Sequence, residues 1–137
     1  MKYVLAAFAA LFLTACNDGA KLNTSIQSTP PMTAVQITEI LGGKKVTLRN
    51  VDSSSRGYGN IVTMDFGING IVSAQSSSGI SNSSIYKIID EQGRGIIKLR
   101  WEDSRWGTDW SFTVHRVDGV VYFYAASPNS VVKWEMK

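Results

Sequence analysis

From Lys44 to the C-terminus, apolar and polar residues alternate with period two, and that alternation leaves few folds open. The segments Lys45–Asn50, Asn60–Phe66, Ile71–Ser76, Ser84–Ile89, Gly95–Trp101, Trp110–Arg116, Val120–Ala125 and Val131–Met136 read as strands, each bounded by turn residues. About eight short strands at this spacing predict a mainly β fold, an antiparallel meander closed as a small barrel or packed as a sandwich. One apolar face is predicted to form the core: Met64, Phe66, Val72, Ile97, Leu99, Trp101, Phe112, Val114, Phe123, Val132 and Trp134. Burying each large member stabilises the fold by roughly 1.5–3 kcal/mol, enough together for one autonomous domain.

Two hairpins fix their own register. A two-residue Asp118-Gly119 turn of type I′ pairs Val117 with Val120 and Val114 with Phe123, so the apolar faces coincide. His115 then opposes Tyr122, and Thr113 opposes Tyr124. An equally tight Asn69-Gly70 turn would set Phe66 against Ser73, apolar against polar. A turn with Gly70 in the left-handed conformation slips the register by one and sets Phe66 against Val72 and Met64 against Ala74, which we prefer. The Ser-rich segments 75–84 and 52–59 read as loops.

Ahead of the strands, Met32 to Leu41 predicts one short helix. Thr33 with Gln36 makes a capping box, Met32 and Ile37 a hydrophobic staple, and Gly42-Gly43 a stop. A helix this short is unstable alone, so Ile37, Ile40 and Leu41 must pack on the β-structure.

The N-terminus supplies an address. Lys2 is followed by the uncharged apolar stretch Tyr3 to Phe12, too short to span a bilayer permanently, and then by Leu13-Thr14-Ala15-Cys16. This order resembles the lipobox signal of bacterial lipoproteins. The resemblance implies removal of residues 1–15, acylation (palmitate among the chains) of Cys16 and attachment to the cell envelope by an N-terminal lipid. Asn17 rather than Asp after the cysteine favours, by the same resemblance, the outer membrane, facing the periplasm. Residues 16–31 are polar and end in a Pro pair, and read as the lipidated Cys and a flexible tether with a reach of about 20 Å. Residues 32–137 then form the single helix-plus-meander domain. That domain loosely resembles small exported proteobacterial proteins of unknown function, through Met32 to Val46 and the aromatic-turn element Phe66-Gly67-Ile68-Asn69-Gly70. That likeness implies no activity.

Composition narrows the chemistry. One Cys, spent on the anchor, leaves no disulfide or thiol site, and one His leaves a single acid–base candidate. A net charge of +3 from 14 Lys and Arg against 11 Asp and Glu is too small and scattered for nucleic acid. No pattern calls for a metal or a cofactor. His115 lacks a carboxylate neighbour and a nucleophile elbow, and reads as a half-exposed strand residue. Glu102, Asp103 and Asp109 sit among Arg100 and Arg105 and read as a salt-bridged loop. Two surfaces are candidate binding sites: the Arg105-Trp106 loop, unless Trp106 folds back to cap the β-structure, and the non-core face carrying Lys98, Arg100, His115, Tyr122 and Tyr124. The function this favours is non-enzymatic binding of an envelope protein or glycan. A small-ligand barrel is the alternative, and a hydrolase using His115 or the acids comes last.

Overall fold

The computed structural model describes residues 19–107, 109–127 and 130–137, with backbone alone for 126–127 and 130–132. The signal segment, Cys16 and the start of the expected tether lie outside the described residues. So does the side chain of Val132.

Eight antiparallel strands close into an up-and-down barrel. They are β1 (Lys44–Asn50), β2 (Ile61–Phe66), β3 (Ile71–Ser76), β4 (Ser81–Glu91), β5 (Arg94–Trp101), β6 (Asp109–Val117), β7 (Val120–Ser127) and β8 (Ser130–Met136). Each strand pairs with the next, and β1 pairs with β8 through Leu48 opposite Met136 and Asn50 opposite Trp134, which removes every free edge. The barrel alternative is therefore the one adopted.

Both hairpin registers follow the reasoning from turn chemistry. Val117 opposes Val120, Val114 opposes Phe123 and His115 opposes Tyr122, with Asp118 and Gly119 both at positive φ as a type I′ turn requires. Phe66 opposes Val72 and Met64 opposes Ala74, with Gly70 at φ +80°. The strand that most exceeds its expected bounds is β4, which starts at Ser81, where Gln75 opposes Ser81, so most of the expected Ser-rich loop belongs to a tight hairpin.

The inward side chains fill the barrel. Phe66, Phe123, Leu48, Met64, Ile97, Val72 and Val114 are fully buried, as side chains in a small eight-stranded barrel can be. Every described member of the expected core is buried there.

Two helices complete the fold. Helix α2 (Ala34–Leu41) has the expected capping box: Thr33 Oγ1 accepts from Gln36 N–H and Gln36 Oε1 accepts from Thr33 N–H. It plugs one end of the barrel with Ile37 and Leu41, both fully buried in the same cluster as Met32. Met32 N–H donates to the Val114 carbonyl, and its own carbonyl accepts from Gly95 N–H, which sews the approach to α2 into β5 and β6.

Residues 19–28 form the other helix, α1, and correct the expectation of a flexible tether reaching residue 31. Leu22 and Ile26, four residues apart, share one helical face. Ile26 is 0% exposed against Tyr122 and Tyr124 on the outside of the barrel, with Leu22 and Val51 beside it. Among the described residues no helix is long and apolar enough to cross a membrane.

Candidate functional site

The expected basic–aromatic face divides into a covered part and an open part. His115, Tyr122 and Tyr124 do share the outer face of β6 and β7, but α1 lies over them. Their exposures are only 6%, 8% and 8%, which corrects the half-exposed reading of His115. Tyr124 Oη accepts from Gln27 Nε2 at 2.9 Å and donates to Asn23 Oδ1 at 3.3 Å. The His115 Nδ1 lies 2.9 Å from the Thr29 carbonyl, which places the neutral ring's proton on Nδ1, and Nε2 lies 2.9 Å from Thr113 Oγ1. Both ring nitrogens are thus engaged. Burial pushes the imidazole pKa below its ordinary 6.5, against a smaller upward pull from the Thr29 carbonyl. The Tyr122 hydroxyl is pushed up by burial and by the nearby Glu135 and Asp118. These three side chains fasten α1 to the barrel and are not open to a ligand.

The open part is cationic. On β4 and β5, Lys87 opposes Lys98 and Ile85 opposes Arg100. Like charges directly opposite on a sheet face destabilise it, so this pairing costs the fold something. Lys98 has one distant acidic neighbour, Glu91, at 3.8 Å. The side chains border a groove of about 520 Å³ whose far wall is Asp109, Trp110 and Ser111. Ile85 stands 59% exposed at its rim. Arg100 is thus the one member of the expected binding set that lies on an open, charged concavity.

The Arg105-Trp106 loop takes the second of its two expected forms. A short 3-10 turn, Ser104–Trp106, is capped by the Asp103 carboxylate, which accepts from Arg105 N–H. Those backbone and side-chain hydrogen bonds from Arg105 hold the Asp103 carboxyl below its ordinary pKa, the side-chain bonds contributing most. Arg105 is therefore tied to Asp103, the one ion pair of the expected salt-bridged cluster found among the described residues. Trp106 folds back and is half-buried. Its ring meets Trp101 edge-on at 4.9 Å and stacks near Trp110 at 6.2 Å, and its carbonyl accepts from Trp110 Nε1.

Sequence reasoning missed what this loop joins. Trp134 stacks near Trp110 at 6.3 Å, so all four tryptophans of the chain gather at the end of the barrel opposite α2. The Nε1 atoms of Trp101 and Trp134 are buried there without a hydrogen-bond partner. Beside them a pocket of about 390 Å³ opens between Trp110, Phe112 and Trp134 and the polar loop residues Ser55 and Asn60. Among the described residues no group of three or more His, Cys, Asp or Glu is placed to hold a metal. Comparisons with protein-family models, with curated proteins and with solved structures find no match to this chain.

Proposed function

We propose that this chain is a lipid-anchored envelope lipoprotein whose barrel binds a partner without catalysing a reaction. The observation that carries the anchor is the run from Lys2 through the apolar Tyr3–Phe12 to Leu13-Thr14-Ala15-Cys16. Acylation at Cys16 attaches the barrel to the membrane, since each buried methylene contributes about 0.8 kcal/mol and lipoproteins carry more than one chain. Asn17 favours the outer membrane and the periplasmic side. The partner, a protein or another envelope component, carries negative charge and meets the Lys87, Lys98 and Arg100 groove.

Three features favour binding over the alternatives. The barrel axis is filled by Phe66, Met64 and Phe123, which confines any small ligand to the pocket of about 390 Å³ at the tryptophan end. His115 is spent holding α1. The acids Glu102, Asp103 and Asp109 have an arginine bound to their central member.

The anchor is tested by metabolic labelling with palmitate and membrane fractionation of wild type and Cys16→Ser. The proposal expects label and membrane retention in the wild type alone, and equal behaviour of the two refutes it. The groove is tested by crosslinking in intact envelopes with Lys98→Glu/Arg100→Glu. Loss of an adduct that the wild type forms supports the reading, and an unchanged adduct pattern removes the groove from it.

A further inference from the structure

We infer that the tryptophan end of the barrel is its membrane-facing end, and that the loop carrying Arg56 and Tyr58 docks on the phospholipid surface. The inference rests on the lipid-anchor reading and adds an orientation to it. It follows from where the anchored chain enters the fold. A Cβ placed on Gly19 would lie 3.5 Å from Ser53 Oγ, so the first described turn of α1 touches the loop between β1 and β2. From there α1 runs toward Thr29, whose carbonyl meets His115, and on to Met32 at the α2 end. The helix therefore starts at the tryptophan end and leads away from it.

Cys16 precedes Gly19 by three residues, which span about 10 Å at most. An acyl group on Cys16 thus keeps Gly19 within about 10 Å of the lipid and the Ser53 loop one side-chain contact from it. The opposite end, with Ile68 at the β2–β3 turn, lies a strand length away, about 20 Å.

The loop chemistry suits that position. Arg56 and Lys21 are exposed, and Tyr58, two residues on from Arg56, is 56% exposed. Basic and amphipathic aromatic side chains concentrate where proteins meet lipid headgroups. Of the acids at the same end, the Asp52 carboxylate accepts from Ser54 N–H and Oγ and Asp103 is bound to Arg105, while Glu102 and Asp109 are exposed on the β5–β6 side, away from the Ser53 loop in the chain. The indoles of Trp106 and Trp110 lie half-buried behind this rim.

Acylation consumes the only cysteine, so a single introduced thiol can carry a nitroxide. The test uses the acylated full chain in phosphatidylethanolamine–phosphatidylglycerol vesicles, labelled at Tyr58→Cys or at Ile68→Cys, which is 92% exposed at the far end. We expect a severalfold higher ratio of collisions with oxygen over an aqueous nickel chelate at position 58 than at 68. Equal ratios, or the reverse, in protein that floats with the vesicles overturn the orientation and leave the anchor standing. Spin–spin broadening at position 58 with no oxygen preference assigns the surface to a second copy and also overturns it. Failure to float overturns both readings. Adding Lys21→Glu/Arg56→Glu is expected to lower the position-58 ratio toward that of position 68, and an unchanged ratio removes these two cations from the docking surface.

Discussion

Replacing Ile26 by alanine separates a docked helix from a chain that merely lies nearby. Ile26 is completely buried between α1 and the rings of Tyr122 and Tyr124, with Leu22 and Val51 at its sides. Removing a buried isoleucine to alanine costs about 2–5 kcal/mol, the lower end applying where the surroundings can relax. A helix on the outside of a barrel can relax, so about 2 kcal/mol is the working figure. That lowers the docking equilibrium of α1 about thirtyfold. The hydrogen bonds Gln27–Tyr124, Tyr124–Asn23 and Thr29–His115 remain chemically possible, but they form only while the helix is seated. Hydrogen exchange reads this directly. Amides of residues 19–28 are expected to exchange about thirtyfold faster in Ile26→Ala, while the ladder between Val114 and Phe123 keeps its protection. Unchanged exchange across 19–28 refutes the claim that this side chain holds the helix. Equal acceleration in β6 and β7 refutes the claim that α1 docks as a separate unit.

Gly95→Ala would put its Cβ 2.6 Å from Ile37 Cδ1 and 2.7 Å from both Ala34 N and Thr33 C. Two of those atoms are backbone, so the strain falls on the α2 plug, and chemical denaturation should show a loss of about 1–3 kcal/mol or more. Burial depresses the folded-state pKa of His115, so the unfolded chain takes up that proton first. Stability should be full above about pH 6.5 and fall below it, and melting at about pH 7 and about pH 5 should differ more for wild type than for His115→Gln. A Trp106→Ala variant loses two aromatic pairs worth about 0.5–1.5 kcal/mol each and should melt lower. A melting temperature equal to wild type would return Trp106 to the role of a dispensable exposed side chain.

The barrel was legible wherever neighbouring residues settle the structure between them. Asp118-Gly119 needs no distant partner to set a type I′ turn, and the polarity of Ser73 is enough to reject the tighter pairing at Asn69-Gly70. Thr33 and Gln36 lie three apart and cap their helix by local bonds. Closure was not legible, because the pairing of Leu48 with Met136 joins the first strand to the last and no local pattern encodes it. The start of β4 was hidden by composition: Ser81 and Ser83 carry no apolar signal, although the backbone pairs them with Gln75 and Ser73. Within the binding set, Arg100 was recognisable by charge, whereas the inward fold of Trp106 depends on Trp101 and Trp110 meeting it from two strands.

The two largest departures, a structured 19–28 and a covered His115, have one cause. Alternation along a strand tells which side chains oppose the core, not what lies over them. Here half of the covering segment, residues 19–28, is Asn, Thr, Ser and Gln, a composition that ordinarily stays in water. Its only apolar signal is Leu22 with Ile26 four residues on, a spacing that fits a helix and nothing extended. Reading that pair as a helical face would have demanded a partner surface, and the aromatic outer face of β7 was the one available. Taking the segment as free chain left Tyr122 and Tyr124 looking free as well. Under the anchor proposed at Cys16, a structured α1 shortens the leash from about 20 Å to about 10 Å. That proposal therefore predicts a barrel with restricted freedom to turn, and a Lys87, Lys98 and Arg100 groove presented at a set height from the lipid.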